Sequence, residues 1–247
     1  IGSRSMIMPG SAISNTCDAV IEKGRELAAH VLEAAAVDIE FSDGSFRVTG
    51  TDRQIGLPEL SKTVRMLRAA PDGLPEDVPD RLDSEEEFRA PDQYFPNGCH
   101  ICEIEIDPNT GEIEIESYVA IDDVGTVVNP MIVHGQVHGG VVQGIGQALL
   151  ENSVYDRSGQ LLTGSLMDYP LPRARHVPNL VTDFHPVPST TNPLGVKGIG
   201  EAGLVGAIPT VMNAIADALA TRGCTIDFDM PATPEKLWRA LANGKTT

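Results

Sequence analysis

Basic side chains are scarce in this sequence: 18 Lys and Arg stand against 35 Asp and Glu, for a formal charge of −17. A nucleic-acid binder needs a cationic footprint to displace counterions from phosphates, and no Lys/Arg cluster supplies one. The same deficit disfavours docking on an anionic membrane surface. No apolar run approaches the ~20 residues that span a bilayer, so membrane insertion is not expected. Cysteines are few as well, Cys17, Cys99, Cys102 and Cys224. Four cannot staple a chain of 247 residues, which points to a reduced, cytoplasmic setting. The opening Ile1-Gly2-Ser3-Arg4-Ser5 has neither an initiator Met nor a charged-then-apolar leader. A segment of a longer chain, or a processed subunit, is therefore expected. What remains is ample for folding: 41% apolar residues over this length build a real core and argue against global disorder.

Apolar residues at helical spacing, among them Ile13, Cys17, Val20, Leu27 and Val31, predict a helix over 11–36, with Gly24 marking a close backbone crossing. Ser42-Asp43-Gly44-Ser45 sits between Ile39–Phe41 and Phe46–Val48, the short-range signal of a hairpin. A short helix is expected around Leu57–Leu67. Residues 70–96 carry five prolines and Glu85-Glu86-Glu87, and read as an extended acidic arm. Strands follow at Ile101–Ile106 and Ile113–Tyr118, extended to Ile121 and joined by a turn at Pro108–Gly111. Cys102, Ile104 and Ile106 share one face; Glu103, Glu105 and Asp107 share the other, so one side is buried and one wet. Asn129 is a suitable cap and Pro130 a suitable first residue for a glycine-rich helix. Glycine costs up to about 1 kcal/mol per helical position, so another element or a ligand should approach that backbone closely. After a proline-punctuated stretch over 167–193, a final helix carries the stripe Leu204, Ile208, Val211, Ile215 and Leu219. Helices mixed with hairpins rather than regular βαβ units indicate an α+β fold.

Gly198-Ile199-Gly200-Glu201-Ala202-Gly203 spells G-x-G-x-x-G, the first suggestion of a nicotinamide-binding reductase. That fingerprint needs a buried strand immediately before it, and Ser189–Leu194 is not one. What the segment does hold is a carboxylate among glycines just before a helix. Glu201 either projects into a cavity that a ligand enters or complements the helix dipole. Cys99-His100-Ile101-Cys102 resembles half a zinc site, yet residues three apart on a strand face opposite ways and no second cysteine pair exists. His134 and His138 are four apart but lack the zincin glutamate, so no metal ligand is assigned. Gln136, Gln143 and Gln147 form a helical stripe whose amides suit an oxo- or pterin-like ligand as well as buried main chain.

Val124-Gly125-Thr126-Val127-Val128-Asn129-Pro130, followed by Gly135-Gln136-Val137-His138-Gly139-Gly140, resembles the molybdenum hydroxylase (xanthine oxidase) family. Gly198–Glu201 is similar to its active-site loop, and Met230-Pro231-Ala232-Thr233-Pro234-Glu235-Lys236 to its closing motif. Gly2–Ser5, the helix and the Ile39–Val48 hairpin resemble the aerobic carbon monoxide dehydrogenase large-chain branch most closely. These motifs keep the family's order over essentially the whole chain. The resemblance implies that residues 1–247 are the C-terminal molybdopterin-binding domain of a larger subunit, with β-hairpins and a mixed sheet packed with helices. It implies Glu201 as the catalytic base that activates a water-derived oxygen for attack on an electrophilic substrate carbon. Gln136 would lie near an oxo ligand, and Gly2, Ser3, Arg4 and Ser5 would form a loop whose backbone binds the pterin side. The implied cofactor is molybdenum with molybdopterin in its cytosine dinucleotide form. The implied partners are the N-terminal half of the subunit, 2Fe-2S and FAD subunits, and a small-molecule substrate: carbon monoxide, an aldehyde or an N-heterocycle. A non-catalytic assembly module, with Glu201 as a mere cap residue, is the competing reading.

Overall fold

The computed structural model describes residues 4–71 and 73–243. Met8–Ala90 forms one compact unit and the other described residues form a second.

In the smaller unit, α1 (Arg4–Val31) contributes its residues from Met8 onward. It starts earlier than the apolar periodicity indicates, because Pro9-Gly10 reads locally as a break yet lies inside the helix. The chain leaves it through a left-handed residue, Glu33, with φ 47°. A three-stranded antiparallel sheet follows, β1 (Ile39–Ser42), β2 (Ser45–Val48) and β3 (Gln54–Gly56), in that order. Asp43 and Gly44 take φ of 48° and 75°, the double left-handed turn that matches strand twist in a two-residue hairpin. α2 (Leu57–Ala69) closes the unit. Leu27, Phe46 and Leu60 are fully buried in its core, and the Phe46 ring occupies the space where a Cβ at Gly24 would lie. The described residues of 70–96 form neither helix nor strand. They are nevertheless not a bare arm: Leu74, Val78 and Leu82 pack on this core, and Lys23 Nζ donates to the Asp83 carbonyl at 2.6 Å.

The larger unit is built on β4 (Asn97–Ile106) and β5 (Ile113–Asp123), an antiparallel pair with a bulge between Glu103 and Ile104. A third strand, β6 (Leu180–Phe184), lies parallel to β5 inside the proline-punctuated stretch. Five residues between prolines carried too short an alternation to signal it. The sheet, ordered β4-β5-β6, is thus mixed, and the α+β class holds. α3 (Pro130–Leu149) begins as expected, with Asn129 Oδ1 accepting from the Ile132 N–H at 3.2 Å. α4 (Ala202–Ala220) carries the apolar stripe. At 19 residues α4 has the length and hydropathy of a membrane-crossing helix, which corrects the expectation that no run comes close. Here its Val211, Ile215 and Leu219 are fully buried in the unit's core, and each such side chain stabilises the fold by about 1.5–3 kcal/mol. It is also not the last helix: α5 (Pro234–Asn243) follows, seating Leu237 in the same core.

α3 and α4 run parallel. A Cβ at Gly140 would fall 2.8 Å from Leu204 N, and one at Gly144 2.6 Å from Ala207 Cβ. One at Gly203 would fall 2.6 Å from the Val137 carbonyl. The glycines of α3 are therefore explained in part by another element: backbone meets backbone at this crossing.

Candidate functional site

The loop that carries Glu201 is held by three residues that its sequence did not mark as functional. Asn192 is buried, and its side chain accepts from the Val196 N–H (3.1 Å) and donates to the Val196 carbonyl (2.9 Å), closing the loop on itself. The loop then docks along residues 124–126 through Lys197 N–H to Val124 O (2.8 Å) and Thr126 N–H to Gly195 O (2.9 Å). Beneath it, Lys197 Nζ meets Asp123 Oδ2 at 2.5 Å, with both side chains nearly buried. Asp123 Oδ1 also accepts from the Gly125 and Val187 N–H groups, each at 2.9 Å. Burial pushes the Asp123 carboxyl up, but the Lys197 ammonium and those N–H groups outweigh it and hold the carboxyl below its ordinary value. The one available signal was Asp122-Asp123, two carboxylates where an alternating strand should have ended in apolar residues.

This pinned loop delivers Glu201 to the N-cap of α4. Its carbonyl accepts from the Val205 N–H at 2.9 Å. Its side chain makes no capping bond, is exposed, and has no hydrogen bond or ion pair among the described residues. A dipole-complementing role alone would leave no reason for so elaborate a support. The parallel crossing sets Gln136, one turn before Gly140, level with Glu201, two residues before Gly203. The structure thus brings these two predicted residues to the same end of one helix pair. Gln136, Gln143 and Gln147 are all exposed, and none of their side chains bonds main chain among the described residues. Beside Gln136, Gly135 and Gly139 have open space where a Cβ would be, so nothing among the described residues lies against that strip of α3.

Arg4 and Ser5 occupy the start of α1, where a loop was expected, and are exposed. Gly2 and Ser3 lie outside the described residues. His134 and His138 converge on one hydroxyl, Thr182 Oγ1, at 2.7 and 3.1 Å, and the His134 ring packs on Phe184 with centroids 4.4 Å apart. Cys99 is exposed and Cys102 half-buried on β4, with burial pushing the Cys102 thiol up to about 11. Such a thiol is a poor nucleophile and a reluctant ligand. Among the described residues no group of three or more His, Cys, Asp or Glu could hold a metal ion. Nor does the Gly198–Gly203 segment follow a strand, as a dinucleotide turn would require: it follows the Asn192 loop.

Residues 1–178 match the sequence family described as molybdopterin cofactor-binding domain. The chain belongs to that family. It is 36% identical over 241 residues to the carbon monoxide dehydrogenase large chain of Hydrogenophaga pseudoflava, covering 97% of this chain and 29% of that one. It is 39% identical over 239 residues to the 6-hydroxypseudooxynicotine dehydrogenase complex subunit gamma of Paenarthrobacter nicotinovorans, covering 96% of this chain and 29% of that one. The crystal structure of a Cu,Mo-CO dehydrogenase in its carbon monoxide reduced state superposes with a TM-score of 0.88 at 32% identity, over 99% of this chain and 30% of that one. These relatives are molybdenum hydroxylase-type oxidoreductases, and the first two are named as a large chain and as a subunit of a complex. This molybdopterin-binding domain spans about 29% of the length of the curated relatives it matches.

Proposed function

We propose that this chain forms one wall of the active site of a molybdenum-dependent hydroxylase of the carbon monoxide dehydrogenase type, with Glu201 as its general base. The observation that carries this reading is the exposed Glu201 carboxylate, unpaired among the described residues, on a pinned loop level with Gln136 on a parallel helix.

The residues present fit an anionic, oxo-bearing group. Two helices point their N-terminal ends the same way, which favours negative charge. The Gln136 amide offers two donors, and the uncovered backbone at Gly135 and Gly139 admits close approach. Gln136 would hold the metal side of the cofactor; Arg4 and Ser5, with Gly2 and Ser3, would hold its pterin side. Molybdopterin, in its cytosine dinucleotide form, supplies when bound the molybdenum centre that accepts the electrons of the oxidation. Glu201 takes a proton from the oxygen that attacks the substrate carbon. The Asp123–Lys197 pair and the Asn192 clasp hold that carboxylate at a fixed height above α4. Since Glu201 and Gln136 are both open to solvent in this chain, a second wall from further chain of the same subunit excludes water and completes the pocket. 2Fe-2S and FAD subunits would be the partners that take the electrons, in a cytoplasmic complex.

The test is Glu201→Gln in the assembled enzyme. A base role lowers kcat by about 10²–10⁴-fold while molybdenum and pterin are retained. An unchanged rate leaves Glu201 only its charge beside the α4 N-terminus and sinks the reading.

A further inference from the structure

The outer face of the β4-β5-β6 sheet is not the uniformly wet surface that alternation along β4 indicates. Cys102, Ile104 and Ile106 do pack on the core, but the opposite face is divided along its length. Ile101 lies opposite Val119, and Val119 opposite Val181, so three β-branched side chains stand abreast across the three strands. Ile121, opposite Cys99, adds the next row on the same face. Ile101, Ile121 and Val181 are 64%, 42% and 57% exposed, and Cys99 is exposed as well. Directly opposed residues in neighbouring strands hold their Cβ atoms about 5 Å apart, so these side chains form one continuous apolar patch rather than scattered surface residues.

Toward the β4–β5 turn the same face becomes acidic. Glu103, Glu105, Glu114 and Glu116 are exposed there, with Glu105 directly opposite Glu114. Like charges set opposite each other cost stability, and none of the four forms an ion pair among the described residues. A complementary cover is therefore an apolar ridge flanked at one end by Lys or Arg. A second copy of this chain does not supply it: it carries the same face and a net charge of −17, which opposes self-association. An uncovered apolar strip on a sheet invites aggregation unless its cover is always present. A segment of the same polypeptide meets that condition through its high effective concentration, and this chain spans only 29% of the length of its curated relatives.

We propose that the outer face of this sheet is the docking surface for further chain of the same subunit, which lays an apolar ridge across Ile101, Val119 and Val181 and sets basic side chains over Glu105 and Glu114. The face lies on the side of the sheet away from α3 and α4, whose apolar residues pack with Cys102 and Ile104. The rest of the subunit then grips this unit on two faces, one at Glu201 and Gln136 and one here. Only the existence of further chain rests on the function proposed above; the shape and charge of the face stand on the geometry alone.

Cys99 reports on this face, because it stands in the patch beside Ile121. The experiment measures alkylation of Cys99 by N-ethylmaleimide, read by mass spectrometry of its peptide. The samples are the 247-residue chain, the complete subunit separated from other subunits and monomeric by sedimentation, and the assembled enzyme. Cys99 should react freely in the 247-residue chain at every protein concentration, and about tenfold more slowly in the complete subunit, as a covered thiol does. Ile101→Glu in the complete subunit should return Cys99 to the rate of the free chain. The same substitution should leave the urea midpoint of the 247-residue chain unchanged, since Ile101 is exposed there. Glu105→Lys should raise the Cys99 rate in the complete subunit part of the way, and no change there overturns the basic flank. Protection that grows with the concentration of the 247-residue chain makes a second copy the occupant, and protection found only in the assembled enzyme makes it a separate subunit. Either result, or equal reactivity in all samples, overturns the proposal. The readout needs neither cofactor nor turnover, so a failed Glu201→Gln test leaves it standing and its failure leaves the base role untouched.

Discussion

Asp123 joins three segments with one carboxylate: the end of β5, the chain after β6 at Val187, and the loop that leads to Glu201. Its carboxyl is held below its ordinary value of 3.8, and the sign of the resulting pH dependence follows. A depressed folded-state pKa contributes stability that is fully present above the unfolded value and is lost as pH falls through the folded one. Acid should therefore loosen this clasp below about pH 4. Replacing Lys197 by Met leaves a nearly buried carboxylate without its cation and should cost about 3 kcal/mol at neutral pH. Urea denaturation of the chain and of Lys197→Met, at neutral pH and near pH 3, checks both. The gap between the two proteins should narrow as acid protonates Asp123. A gap that does not change with pH would mean that the pair contributes no charge interaction.

Helices α3 and α4 make the same residue type serve opposite purposes. At Gly203 an added Cβ meets the Val137 carbonyl at 2.6 Å and the Val141 N–H nitrogen at 3.1 Å, both backbone atoms that cannot give way cheaply. Gly203→Ala should lower stability by about 1–3 kcal/mol through overpacking. At Gly139 nothing lies within 4 Å of an added Cβ, so Gly139→Ala should raise the stability of this chain by up to about 1 kcal/mol on helix propensity alone. Urea midpoints that shift in opposite directions would confirm that only the Gly140–Gly144 side of α3 is closed by α4. Periodicity placed both helices. It did not reveal which glycines face a neighbour, because that depends on how α4 crosses α3. The same limit hid β6, whose five residues pair with β5 from more than fifty residues away.

For the whole molecule, the decisive number is the 29% of its curated relatives' length that this chain spans. Glu201 and Gln136 are both exposed, and a cofactor held from one side gains little of the burial that drives tight binding. The purified chain alone should therefore carry molybdenum and pterin well below one per chain, measured by metal analysis and pterin fluorescence, and show no turnover. Stoichiometric metal and pterin would mean that these residues suffice. The sequence by itself determined the acidic charge, the main helices and hairpins, the glycine-bounded Glu201 and the ordered motifs of the family. Each of these depends on residue type and on neighbours close along the chain. Only the tertiary structure decided that Gln136 and Glu201 are level, that Asp123, Asn192 and Lys197 hold the loop, and that His100, bonded to Tyr118 and Asp122, packs on α4 at Gly206. Those relations join residues tens of positions apart, through contacts that exist only once backbones cross, and no local pattern of residue types carries that geometry.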